Sequence, residues 1–373
     1  LKEKFIYICI AISIFAFSCK KEKPIDHTLN LEFTKQYEID NWENARTGLL
    51  WTLSFLGAEL KKDSLDRAII RSDSTKFNLD LSKVGFSSKA LNALVGIIDS
   101  LKHTQEYTIK NSIDLGAFVS LLIGSSELYY KITDTESDLS IKLEKHHGEE
   151  PIIFPVTNSL ISKHTRILKL YTKGQVADWL IIAEEGEGNF LNRTFKAKGF
   201  EVFDIMANGQ LRFSIYDQKG KLISASPKDL SEAGKPAKCL WCHELYIQPL
   251  YTTNDSVAGY ISQESFQGIV KELMFKLSLY RKNLKGEIDF SKTQDHSFVE
   301  RLYIGYMEPS LIKLSKEWNI PLPKLKEILK GKRTHLHQEF TFFGDIYFRD
   351  SINNLAPFKP SVMPFDIREG SEK

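Results

Sequence analysis

Cysteine and methionine are scarce in this chain, at four each among 373 residues. Neither sign of charge dominates: 50 Lys and Arg stand against 48 Asp and Glu, well mixed, for a net charge of +2. No arginine-rich stripe is present, so a nucleic-acid-binding surface is not expected. Beyond Phe17 no apolar run approaches the ~20 residues that cross a bilayer. No fixed-period repeat recurs, so a repeat architecture is not expected. Gly186 and Gly188 in "EEGEGN" read as a turn. They precede no helix and lack the Gly-x-Gly-x-x-Gly spacing, which removes nucleotide binding. No Ser-His-Asp string, His-Glu-x-x-His or glycosidase signature appears. Carboxylates are plentiful but hold no privileged spacing, so a hydrolase would have to assemble from distant residues.

What is there supports packed cores: 42% of the residues are hydrophobic and 12% aromatic. The length allows two or more domains. Lys2 and Lys4 precede an uncharged apolar run, Phe5 to Phe17. At 13 residues it fits a signal-peptide core and is too short for a membrane span. It ends in Ala16-Phe17-Ser18-Cys19, which resembles the lipobox of bacterial lipoproteins, although Leu is usual where Ala16 stands. The resemblance implies that residues 1–19 are a signal peptide and that Cys19 is lipidated. Residues 20–36 then form a tether. No Asp follows Cys19, so the likeness implies an exported lipoprotein anchored in the outer membrane, facing the periplasm or the surface. Cys9 lies within the signal, so Cys239 and Cys242 would be the only other cysteines left.

Residues 37–150 read as helical. Trp42, Ala45, Leu49, Leu53 and Leu56 recur at three- and four-residue steps. Ser87 suits a helix cap before the stripe Leu91, Leu94, Val95, Ile98 and Leu101. Asp114 or Ser112 starts a third helix, which ends at Gly124. From Pro151 the period changes. Residues 166–171, 178–182, 199–205 and 211–216 read as strands, with Asn208-Gly209 as a hairpin turn. Residues 151–230 are therefore an antiparallel meander. Residues 231–373 hold a loop with a cysteine motif and a helical C-terminal region. The fold class expected is α+β.

The loop carries Cys239-Leu240-Trp241-Cys242-His243. This Cys-x-x-Cys-His spacing is the attachment signature of c-type haem. Two thiols add across the vinyl groups, and the histidine that follows becomes an iron ligand. The chemistry takes place outside the cytoplasm, which agrees with the export signal. Three other readings stand beside it. A zinc site lacks a fourth ligand. A redox pair would want a strand-to-helix setting in a βαβ unit. A structural disulfide between Cys239 and Cys242 also fits the spacing. The motif resembles that of c-type cytochromes, and in the small class I members a proline near the motif accepts a bond from the histidine. Pro249 is nearest here, closer to His243 than in that family. "GFEVFDIMANGQLRFSIYD" leading to "KCLWCHE" is similar in architecture to the β-sheet cytochromes with a lysine-crosslinked haem. No residue here matches their crosslinking lysine.

For the other iron ligand, Met363 in "VMPF" and Met307 in "YMEP" rank first, each held near a proline. His337 follows; it alternates with His335 in "THLHQ". Met274 reads as core. The leading expectation is a lipid-anchored mono-haem cytochrome. It would pass electrons to or from a redox partner protein in the envelope, as a carrier rather than a catalyst. The alternatives are a haem enzyme with an open iron site (a peroxidase or small nitrogen-compound oxidase) and a non-haem lipoprotein that binds a partner.

Overall fold

The computed structural model describes residues 25–37, 40–162, 164–188, 194–232, 234–243, 245–247, 251, 253–332, 334–335 and 345–364. The fold is α+β, as expected. The N-terminal part comprises β1 (Thr28–Glu32), α1 (Trp42–Phe55), α2 (Lys62–Ala68), β2 (Ile69–Arg71), β3 (Lys76–Asp80), α3 (Ser88–Lys102), α4 (Gln105–Lys110), β4 (Ile113–Asp114), α5 (Leu115–Gly124), α6 (Ser126–Ile132) and α7 (Leu139–Glu144). Asn41, Ser87 and Asp114 cap α1, α3 and α5 by accepting from the N–H groups of Asn44, Ala90 and Ala117. Each bond satisfies a donor that the first helical turn leaves open.

This part is not purely helical. A four-stranded mixed sheet, in the order β2-β3-β1-β4, lies among the helices. Leu29, Leu31, Phe77 and Leu79 alternate into the core from it. Its strands have at most five residues, too short for period alone to separate them from helix.

The second part is a six-stranded antiparallel meander: β5 (Ile152–Val156), β6 (Thr165–Tyr171), β7 (Leu180–Glu187), β8 (Lys196–Ile205), β9 (Leu211–Asp217) and β10 (Leu222–Ile223), paired in chain order. Gly209 takes φ +85° in the β8–β9 hairpin, a backbone state glycine adopts without strain. Asn208 plugs the hairpin into the end of α1, donating to the carbonyls of Ser54 and Ala58 at 2.8 and 2.9 Å. One sheet face packs Leu180, Ile182, Val202 and Tyr216 against Leu139 of α7. The register stacks the other face in rows. One row is Ile152, Leu170, Ile181, Phe203 and Phe213. The next is Phe154, Leu168, Ala183, Glu201 and Ile215. The third is Val156, Arg166 and Glu185. Gly186 belongs to β7, not to a turn as expected. A side chain there would clash with the Lys196 carbonyl, so glycine lets the strand continue through a bulge between Glu185 and Gly186.

The third part holds α8 (Pro236–His243), α9 (Gln263–Lys282), α10 (Ser297–Met307), α11 (Leu311–Trp318), α12 (Leu322–Ile328), β11 (Thr334–His335), β12 (Ile346–Tyr347) and α13 (Arg349–Ile352). A single hydrophobic cluster joins the three parts, through Leu49, Leu122, Phe154, Phe213, Leu240, Phe266 and Tyr303 among others. Tyr129 and Tyr130 of α6 fasten the sheet to the N-terminal helices. Their hydroxyls accept from the N–H groups of Phe213 and Ile215 at 3.1 and 3.3 Å. Among the described residues no helix is long and apolar enough to cross a membrane.

Candidate functional site

Cys239, Cys242 and His243 all lie on α8. At 3.6 residues per turn they fall within an arc of about 100°, so the helix presents them on one stripe. Pro236 opens the helix, where its missing N–H leaves no bond unmade. Lys235, only 2% exposed, donates to the Gly124 carbonyl at 3.2 Å. That places a cation at the C-terminus of α5, the negative end of the helix dipole. Trp241, on the far side of α8, packs edge-on against Tyr303 of α10 with centroids 6.1 Å apart. The helix is thus held at its start and along its back, and Cys239 and His243 face the sheet.

Cys239 and His243 line a cavity between α8, the inner sheet face and α9. Its walls include Leu168, Ile181, Phe203 and Phe213 from the sheet and Phe266 and Val270 from α9. Four helical residues rise ~6.0 Å and two strand residues span about 6.7 Å. The step from Cys239 to His243 therefore matches the step from the Glu201 row to the Phe203 row. The His243 ring lies 5.5 Å from Phe203 and 5.3 Å from Phe213. The cavity has a volume of about 70 Å³. It is a thin, mostly apolar slot, well below the ~300–1,000 Å³ of a pocket that encloses a whole cofactor.

The Nδ1 atom of His243 lies 3.2 Å from the Tyr246 carbonyl oxygen. Donation to that carbonyl puts the ring proton on Nδ1 and the lone pair on Nε2. Burial lowers the imidazole's pKa to about 4; the Tyr246 bond opposes this and the nearby Arg166 charge adds to it. The ring is neutral at physiological pH, which is the metal-ligating form. The turn that carries the Tyr246 carbonyl is itself held. Leu245 takes φ +77°, a strained state for a branched side chain. Its carbonyl accepts from Arg281 Nη1 at 3.0 Å, while Arg281 Nε donates to the Gly209 carbonyl at 2.9 Å. Arg281 thereby clamps the turn after the motif to the β8–β9 hairpin.

Cys239 and Cys242 are not joined by a disulfide. Burial drives the Cys239 thiol far above its ordinary pKa, with Glu201 and Cys242 adding to the rise. A redox-active cysteine pair needs the opposite shift. Among the described residues no three of His, Cys, Asp and Glu gather closely enough to share a metal ion, which leaves a zinc reading short of ligands.

The other candidates are scattered. Met307 ends α10, half-buried against the core. Met363 is 53% exposed, with its sulfur 3.9 Å from the Asn353 amide. Neither lines the cavity. Met274 packs on the core and accepts from the Ile247 N–H at 3.0 Å. His335 pairs with Glu308 at 3.2 Å and stacks on Phe348. His337, Cys19 and Pro249 lie outside the described residues.

Sequence reasoning did not single out the polar end of the site. Arg166 of β6 lies 2.7 Å from Glu185 of β7 and 2.7 Å from Glu201 of β8. Glu185 is wholly buried. Arg166 and Glu201 line the cavity, as does Tyr251. Among the described residues nothing bonds to Glu201 Oε1 or to the buried Tyr251 hydroxyl. The signal available was a charge on an inward-facing strand position, legible only once the strand register is known. Compared with family models, curated proteins and solved structures, the chain matches none.

Proposed function

We propose that this chain is a mono-haem c-type cytochrome, with haem c attached through Cys239 and Cys242 and His243 Nε2 as the axial ligand to iron. One observation carries the reading. Cys239 and His243 of the Cys-x-x-Cys-His stripe line a mostly apolar slot, with the histidine's Nδ1 proton already committed to a backbone carbonyl. Such a bond fixes the tautomer and orientation of a ligating imidazole. The donor set fits the group. Two thiols and one neutral imidazole share a helix face, mostly aromatic and aliphatic side chains wall the slot beside Cys239 and His243, and the Tyr251 hydroxyl offers a buried donor. When bound, the haem supplies a one-electron iron couple whose potential the surroundings tune.

The first function is electron transfer at the cell envelope, from a protein anchored through lipidated Cys19, to or from a redox partner. A second reading is favoured by a specific observation: no methionine and no second histidine are among the residues that line the cavity. An iron open on that side would act on a small ligand, as in a peroxidase or a small nitrogen-compound oxidase. The test is expression with a cytochrome c maturation system, followed by haem stain on a denaturing gel and a pyridine haemochrome spectrum. Covalent haem is expected in the parent chain and none after Cys239→Ala with Cys242→Ala. A matured chain whose intact mass lacks the haem increment overturns the reading.

A further inference from the structure

We propose that a second cavity, behind the Tyr246 turn and with Arg281 in its wall, binds the carboxylate of a small acid with an apolar body. The proposal rests on Arg281 and this cavity, not on the haem reading.

Arg281 differs from the other deeply buried arginines. Arg349 forks onto Glu317 at 2.8 and 2.9 Å, and Arg166 lies between Glu185 and Glu201. Arg281 is comparably buried, at 8% exposed, yet among the described residues it meets no carboxylate. It donates to two backbone carbonyls, those of Gly209 and Leu245. These leave its Nη2 atom without a partner among the described residues. Carbonyl dipoles, including those at the C-terminus of α9, bring only partial charges to a whole buried cation. Burial lowers the guanidinium's pKa to about 10, with Tyr246 opposing.

The space beside Arg281 can hold the missing anion. Its volume is about 460 Å³, within the ~300–1,000 Å³ of small-molecule sites. Met274, Leu284 and Phe290 give it apolar walls, and Ser278 adds a hydroxyl at the exposed side of α9. The guanidinium carbon of Arg281 lies 4.4 Å from the centroid of the Phe290 ring, so cation and ring share one wall. Lys282, Glu287 and Asp289 also line the cavity. Neither acid is committed to Arg281. Glu287 lies 3.9 Å from Arg46, and Asp289 accepts from the N–H of Ser291 at 3.0 Å and from its hydroxyl at 2.5 Å. The loop that carries them is pinned in place. The Glu287 N–H donates to the Leu60 carbonyl at 2.9 Å, and Phe290 packs edge-on against Trp51 of α1 with centroids 5.9 Å apart.

A carboxylate is the group that a guanidinium with a spare N–H edge binds best, through charge-assisted bonds. The apolar walls select an acid with a hydrocarbon or aromatic body over a bare inorganic anion. Tyr246 is also a wall, and its carbonyl faces His243 Nδ1. The occupant therefore sits behind the histidine of the Cys-x-x-Cys-His motif.

Equilibrium dialysis of labelled benzoate against the haem-free full chain tests this, with uncharged benzamide and inorganic sulfate as competitors. Benzoate should bind saturably at one site. It should bind roughly tenfold or more tighter than either competitor, the margin that a hydrogen bond to a charged group supplies. Arg281→Met should abolish binding. Ser278→Tyr should weaken it by a similar factor by filling the cavity, while Arg281 keeps its bonds to Gly209 and Leu245. Should Arg281→Met fail to fold, Ser278→Tyr decides. Absence of saturable benzoate binding, equal binding of benzamide, or binding unchanged in Ser278→Tyr overturns the site. Repeating the dialysis with the haem-loaded chain identifies the source of the carboxylate. Retained benzoate binding upholds a site for a free acid. Binding lost only on loading upholds the Arg281 site as one taken by a carboxylate of the haem itself. A chain that takes up no haem defeats the function proposed above and leaves the benzoate result to stand alone.

Discussion

The Nδ1 atom of His243 donates to the Tyr246 carbonyl three residues on, at 3.2 Å. The chain makes this bond by turning through a left-handed Leu245. The bond therefore depends on whatever holds that turn, which is Arg281.

Arg281→Met should leave covalent haem attachment intact, because both cysteines lie on α8, away from the turn. It uncovers the carbonyls of Gly209 and Leu245. Buried acceptors left without partners cost about 1–3 kcal/mol each. Urea unfolding of the haem-free variant should show a loss of that order, and the loaded variant should show a perturbed iron spin state. A stability change below about 0.5 kcal/mol would mean that the turn stands without the clamp.

The histidine sets one pH dependence. Its folded pKa, lowered to about 4 by burial, lies below the ordinary 6.5. Between these values the unfolded chain binds the proton and the folded chain does not. Its contribution to stability is full above pH 6.5 and is lost as the pH falls through 4. His243→Phe in the haem-free chain should flatten that part of the urea-midpoint profile.

Glu185 sets a dependence of the opposite sign. Its folded pKa of about 8 exceeds the ordinary 4.5. The folded chain keeps a proton that the unfolded chain loses, so this contribution is full below pH 4.5 and is lost as the pH rises through 8. The slope cannot exceed ~1.4 kcal/mol per pH unit for one proton. Glu185→Gln should raise stability at pH 8 relative to the parent chain and change it little at pH 4. Equal effects at both pH values would show that Glu185 is already ionised in the folded chain.

The methionines give a sharper outcome than their sequence context suggested. Met363→Ala and Met307→Ala should each leave the visible spectrum of the loaded protein unchanged, since neither residue lines the cavity. Rapid binding of carbon monoxide or cyanide should accompany this. Loss of a sulfur-to-iron band in either variant would restore the methionine ligand and the plain electron-carrier reading.

The sequence alone determined whatever depends on near neighbours. Cys239, Cys242 and His243 sit three and four residues apart, so any helix through them shows them on one side. Ser87 and Asp114 cap helices because a cap is a contact across three residues. The meander strands were legible because alternation and the Asn208-Gly209 turn are local signals. Tertiary structure decided the rest. Arg166, Glu185 and Glu201 come from three strands and meet through register and a bulge, neither of which composition carries. Arg281 reaches the motif's turn from the next long helix. Met363 looked like a ligand because a Met-Pro pair is a local pattern. Whether its sulfur faces a cavity is settled by chain packing 120 residues beyond His243, and that packing leaves it at the surface because Val362 and Tyr306, not Met363, fill the core there.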